Sequence, residues 1–137
     1  MRLIVDISVA LPWAVASQAT SLTEQAGRHS QEHGAVVPFH FHLELTNALL
    51  MLERRGRLTE ADVGEALESM SLIGLDVDEA PIAAVATTIL PLARRFKLTL
   101  YDAAYLELAL RTELPLATRD RELAAAAISA GAELFAP

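Results

Sequence analysis

Met1-Arg2-Leu3-Ile4-Val5-Asp6-Ile7-Ser8-Val9-Ala10-Leu11 opens the chain with a short apolar run, stops it with an acid and then passes into a helical pattern. Leu3 to Val5 reads as a strand covered on both faces, since it lacks the polar alternation of a half-exposed one. The pattern returns along the chain. Ser8 to Ala16 reads as helix, and the polar stretch from Ser17 holds another that ends at Gly34. Ala35-Val36-Val37, closed by Pro38, reads as a second buried strand, and Phe41 to Arg55 as an apolar helix stopped by Gly56. Thr59 caps a helix running to about Gly74, and Leu75 to Asp78 alternates like a strand. Pro81 starts a helix to about Phe96, and Thr99 opens another to about Arg111. Leu114 to Ala117 is a short strand, Arg119 to Ala130 a helix ended by Gly131, and Glu133 to Phe135 a last strand. Buried strands alternating with helices predict an α/β fold, an α/β/α sandwich with a mainly parallel central sheet. Ligands of such sheets bind beyond the carboxyl ends of the strands, and Asp6 and Asp120 both fall at that edge.

The 137 residues make one domain, 1–137, with no repeat or linker. Hydrophobic residues make up 53% of the chain, yet the longest nearly uncharged stretch, Ala80 to Ala93, is broken by Pro81, two threonines and Pro91. It is too short and interrupted to span a membrane. Asp6 ends the first apolar run too early for a signal peptide, so a cytoplasmic protein is expected. The absence of cysteine removes disulfides, thiolate zinc sites and cysteine nucleophiles. A formal net charge of −7 argues against a generally basic nucleic-acid binder but not against a nuclease, because a bound divalent ion reverses the local field of an acid cluster. Ten of the eleven basic residues are arginines. Arg54, Arg55, Arg57, Arg94 and Arg95 suit solvated helix ends, whereas Arg119 and Arg121 bracket Asp120 and are candidate phosphate contacts.

Four acids stand where an apolar stretch turns into a new helical pattern: Asp6, Glu44, Asp102 and Asp120. Helix capping accounts for three of them individually. Asp6 suits the cap of the first helix, Thr99-x-x-Asp102 a variant capping box, and Asp120 the first turn after Thr118. Glu44 is different, because its helix is apolar on nearly every face and is expected to be buried. A buried carboxylate needs a partner; Asn47, one turn on, offers a hydrogen bond, but only a metal or an arginine would neutralise the charge. If the four acids converge, they repel one another unless a cation holds them, and oxygen-rich sites select hard ions such as Mg²⁺ or Mn²⁺.

Other constellations are weaker. His40-x-His42 with Glu44 suggests a transition-metal site, but the helical i, i+2 spacing points the imidazoles apart. Ser8 lacks an evident base and is better read as capping or holding Asp6. The six glycines form no phosphate loop. Trp13, Tyr101 and Tyr105 read as packing residues, Tyr101 being the one most suited to exposure near the site.

Four segments then carry a resemblance: Val5-Asp6-x-Ser8-Val9-Ala10-Leu11; Pro38 followed by Glu44-x-x-Asn47; Leu98-Thr99-Leu100-Tyr101-Asp102-Ala103-Ala104-Tyr105; and Leu116-Ala117-Thr118-x-Asp120-x-x-Leu123. In this order they resemble the PIN-domain nucleases, and among those the VapC-type toxins of type II toxin–antitoxin systems. Ile7, where the family commonly has alanine, is a small departure. The resemblance implies a PIN-like three-layer sandwich and metal-dependent endoribonuclease activity. It implies an acidic quartet of Asp6, Glu44, Asp102 and Asp120 around Mg²⁺ or Mn²⁺, supported by Ser8, Asn47 and Thr118. It further implies a cognate VapB-like antitoxin covering the pocket, a homodimer, and contact with DNA only through the antitoxin. Two rivals share the fold expectation. A non-catalytic interaction module would lack the metal, and an Mg-binding phosphoacceptor domain would want a lysine at a strand end, whereas the one lysine, Lys97, closes a predicted helix.

Overall fold

The computed structural model describes residues 1–137. Four parallel strands form its sheet: β1 (Leu3–Val5), β2 (Ala35–Pro38), β3 (Leu75–Asp78) and β4 (Leu116–Ala117), in the order β3-β2-β1-β4. The helices are α1 (Ile7–Ala14), α2 (Ser21–His33), α3 (Phe41–Arg54), α4 (Glu60–Ser71), α5 (Ile82–Ala84), α6 (Leu90–Phe96), α7 (Leu100–Thr112) and α8 (Arg121–Ala130). They flank the sheet, giving the expected α/β/α sandwich. Helix α7 packs against β1, β2 and β4 and carries α6 and α8 with it, while α1 packs on α2, α3 and α4. No helix is long and apolar enough to cross a membrane.

Strand order sets the position of the site. The chain moves outward from β1 through β2 to β3, then returns to place β4 on the other side of β1. The reversal therefore falls between β1 and β4, where ligands of open parallel sheets bind. Ile4 pairs with Leu116 and Val5 with Ala117, and the Asp6 N–H donates to the Ala117 carbonyl at 3.3 Å. The residues that follow both strands are thus held side by side. Leu3, Ile4 and Val5 are fully buried, as the uninterrupted apolar run requires. Edge strand β3 is half exposed and carries Asp76 and Asp78, charges that discourage pairing with another chain.

Several sequence expectations need correction. Helix α8 begins at Arg121 rather than Arg119, because Asp120 is its N-cap. Strand β4 is shortened to two residues, Pro115 having no N–H to give a ladder. The proposed last strand, Glu133 to Phe135, contributes a single bridge between Leu134 and Leu116. The helix expected from Pro81 to Phe96 is continuous in path but contains a π-helical turn, Val85–Ile89, in which the Leu90 N–H donates to the Val85 carbonyl. Pro91 explains the widening: it offers no N–H, and its ring crowds the carbonyl four residues back. Helix α3 is not buried all round. Its buried positions Phe41, Leu45, Leu49 and Leu52 form one stripe, and Leu43 is 78% exposed.

Candidate metal centre

Asp6 is built in by the turn from β1 to α1. Its backbone is extended and its Oδ1 accepts the Val9 N–H, so it is an N-cap, as the sequence suggested. Capping is not its only engagement. Ser8 Oγ donates to Oδ1 at 2.6 Å, and Thr118 Oγ1, arriving from the end of β4, donates to Oδ2. The two hydroxyls also link onward, since the Arg119 N–H donates to Ser8 Oγ and the Asp120 N–H to Thr118 Oγ1. Asp6 is only 5% exposed, and its pKa is pushed up to about 6. Burial is the main cause, with the Asp102 charge adding to it; the bonds from Ser8, Thr118 and Val9 oppose the rise.

Asp120 caps α8 through one oxygen, Oδ1 accepting the N–H groups of Glu122 and Leu123, which leaves Oδ2 without a backbone donor. Asp102 sits in the first turn of α7, where an internal control is available. At the start of α4 the same Thr-x-x-Asp spacing closes a reciprocal box, Thr59 accepting the Asp62 N–H and Asp62 the Thr59 N–H. At α7 only half the box forms: Thr99 accepts the Asp102 N–H and nothing returns to Asp102 from the cap backbone. The Asp102 carboxylate is thereby free of the cap backbone and keeps only the Thr99 side chain beside it. Its pKa is raised, by burial first and then by repulsion from Asp120 and Glu44, against the opposing influence of Thr99 and His40. Asp102 feels two of the other acids, and Asp6 feels Asp102 in turn. Asp102 therefore lies within electrostatic reach of the other three acids.

Glu44 is one third exposed, less hidden than its apolar helix suggested. No hydrogen bond joins it to Asn47, which lies exposed. Its partner is Tyr105, a residue the sequence had marked only for packing. The fully buried Tyr105 donates its hydroxyl to Glu44 Oε1 at 2.8 Å, and burial together with the Glu44 charge drives the phenol pKa far up, holding it as a donor. Long-range pairs of this kind, 61 residues apart, leave no local spacing to read. His40 lies buried with Nε2 at 3.4 Å from the same oxygen, while His42 is exposed, so the two imidazoles do diverge.

The sequence left a metal or an arginine as the counter-charge. No arginine or lysine is paired with any of the four acids; the arginine salt bridges run from Arg2 to Asp76 and from Arg111 to Asp78 and Glu107. Arg119 and Arg121 are both exposed. Lys97 caps the C-terminus of α6 in a left-handed conformation rather than standing at a strand end, which removes the structural basis for a phosphoacceptor site. The donors are all carboxylate oxygens with hydroxyl support, chemistry suited to a hard divalent cation. As they stand, however, no three His, Asp or Glu side chains are gathered closely enough to hold one ion. A cation would have to draw the unbonded oxygens inward.

Residues 3–129 match the PIN domain. The chain belongs to the PIN domain family. Among solved structures, PAE2754 from Pyrobaculum aerophilum superposes with a TM-score of 0.71 at 28% identity, covering 92% of this chain and 84% of its own. VapC20 of Mycobacterium tuberculosis, described as a sarcin-ricin loop cleaving toxin, superposes with a TM-score of 0.61 at 17% identity, covering 98% of this chain and 99% of its own. That second likeness establishes shared fold. No curated protein matches the chain. In this PIN domain Asp6 and Asp120 follow β1 and β4, while Glu44 and Asp102 sit in the first turns of α3 and α7; Tyr105 and His40, as neighbours of Glu44, emerge only from the fold.

Proposed function

We propose that this PIN domain is a metal-dependent endoribonuclease toxin that hydrolyses RNA phosphodiester bonds and is held in check by a cognate VapB-like antitoxin. The observation that carries the reading is the mutual repulsion of Asp102 with Asp6, Glu44 and Asp120, with no arginine or lysine paired to any of the four. Bound there, Mg²⁺ or Mn²⁺ supplies the positive charge that activates water and steadies the leaving oxygen. Asp6 and Asp102 would hold the cation directly, with Asp120 reaching it directly or through water and Glu44 holding a water or a second ion. Ser8 and Thr118 hold the Asp6 carboxylate from both sides. Arg119 and Arg121, exposed beside Asp120, hold the substrate backbone. A homodimer, and DNA contact only through the antitoxin, belong to the same proposal.

Incubation of single-stranded RNA with the wild type and Asp102→Asn tests it. Cleavage is expected in Mn²⁺, with its loss in EDTA and in the variant while thermal unfolding stays cooperative. Undiminished cleavage in EDTA overturns the metal mechanism. A second reading, a non-catalytic interaction module, draws on the absence of three gathered ligands; it gains ground if neither Mn²⁺ nor RNA binds.

A further inference from the structure

Beside the acidic centre lies a pocket of about 510 Å³ lined by His40, Leu43, Glu44, Asn47 and Tyr101. Two of its walls are unusually apolar for solvent-facing surface. The Tyr101 side chain is 62% exposed and that of Leu43 78%. His40 is the opposite case, a polar ring that is 7% exposed with neither Nδ1 nor Nε2 hydrogen-bonded. The nearest acceptor, Glu44 Oε1 at 3.4 Å, is already engaged by Tyr105. Phe39, Tyr101 and Tyr105 surround the imidazole with ring centroids 5.3 to 5.4 Å away and close its nitrogens to water, and of the three Tyr101 is the most exposed, a ring whose movement would open His40 to the pocket. Burying both ring nitrogens unpaired is unfavourable, which makes His40 a donor and acceptor awaiting a partner. The exposed Asn47 adds a carboxamide with the same dual capacity.

An apolar, aromatic wall beside unsatisfied polar atoms matches a flat ligand with π faces and a hydrogen-bonding edge. Within the ribonuclease reading, on which this inference rests, that ligand is an unpaired nucleobase. An apolar peptide side chain would cover Tyr101 and Leu43 but leave His40 unpaired. The position also fits: Glu44 belongs to both the pocket and the acidic centre, and Tyr101 immediately precedes Asp102. We infer that this pocket receives a nucleobase flanking the cleaved phosphodiester, Tyr101 turning to stack on its face and thereby uncovering His40 to bond its edge. The pocket thereby sets base preference beside the scissile bond.

The test uses short single-stranded RNAs containing one mapped cleavage site, made with each of the four bases or an abasic nucleotide at the flanking positions. For Tyr101→Ala, at an exposed position that should not disturb folding, KM rises on the order of ten-fold, the loss expected for removing one base–aromatic stack. Tyr101→Trp restores it, and the loss disappears on the abasic substrate. His40→Leu, which keeps the pocket filled, flattens the ranking of the four bases. An unchanged KM in Tyr101→Ala, or an equal loss with and without the base, overturns the inference while leaving the nuclease reading intact. If the wild type cuts no RNA, the nuclease reading fails separately, and fluorescence anisotropy of the labelled RNAs decides the pocket: equal affinity for wild type and Tyr101→Ala overturns it. Should His40→Leu fail to fold, the Tyr101 series decides alone.

Discussion

Replacing Asp6 with asparagine should make the metal-free protein gain stability relative to the wild type as pH rises toward neutrality. Burial raises the Asp6 pKa from 3.8 to about 6, despite three hydrogen bonds that favour the ionised form. Between those two pH values the folded chain keeps a proton that the unfolded chain has released, so stability falls as pH rises through the window. Above it, the ionised carboxylate costs the fold on the order of 3 kcal/mol relative to its neutral form, at about 1.4 kcal/mol for each pH unit of displacement. Asparagine has nearly the same shape and no charge to bury, and the acceptor it loses to its amide N–H₂ costs the same at every pH. Urea unfolding in EDTA from pH 4 to pH 8 should therefore show Asp6→Asn gaining on the wild type by about 3 kcal/mol between about pH 4 and 6, then levelling off. Saturating Mn²⁺ should close much of the gap, because it compensates the charge in the wild type alone. A constant difference across the pH range, or a variant that loses ground as pH rises, would refute the claim that Asp6 is a destabilising buried charge.

Three further outcomes follow from the contacts. Thr118→Val removes the donor to Asp6 Oδ2 and the acceptor of the Asp120 N–H, and should cost about 1–3 kcal/mol in urea unfolding. Arg111→Met strands the buried Glu107 carboxylate and unties α7 from the end of β3; because Arg111 is itself half exposed, the loss should be about 2 kcal/mol rather than the larger cost of a fully buried pair. Tyr105→Phe keeps the core filled but removes the hydroxyl that fixes Glu44, so kcat on RNA should fall while the unfolding free energy changes by about 1 kcal/mol. An unaltered kcat would detach Tyr105 from the site.

The parallel sheet was legible because its signal is local. Leu3 to Val5, Ala35 to Val37 and Leu114 to Ala117 are apolar runs with turn residues at their ends, and each lies in or around an observed strand. The π turn before Pro91 was not foreseen, since a helical composition conceals a change of hydrogen-bond register. For the site, residue type and position after strands singled out all four acids, but capping explained three of them equally well. Only the fold distinguishes the half-formed box at Asp102 from the complete one at Asp62. Composition misled at α3, where an almost wholly apolar helix leaves Leu43 in solvent, and the partner expected for Glu44 was Asn47 rather than Tyr105. Both errors arise because the sequence gives the faces of a helix without showing what packs on each.

Calorimetric titration of Mn²⁺ into the wild type and Asp102→Asn addresses the carboxylate centre directly. Saturable binding by the wild type, abolished in the variant while both unfold cooperatively, is the expected result. Equal binding by the two proteins would place the cation elsewhere, and no binding by the folded wild type would contradict a metal centre at these four acids.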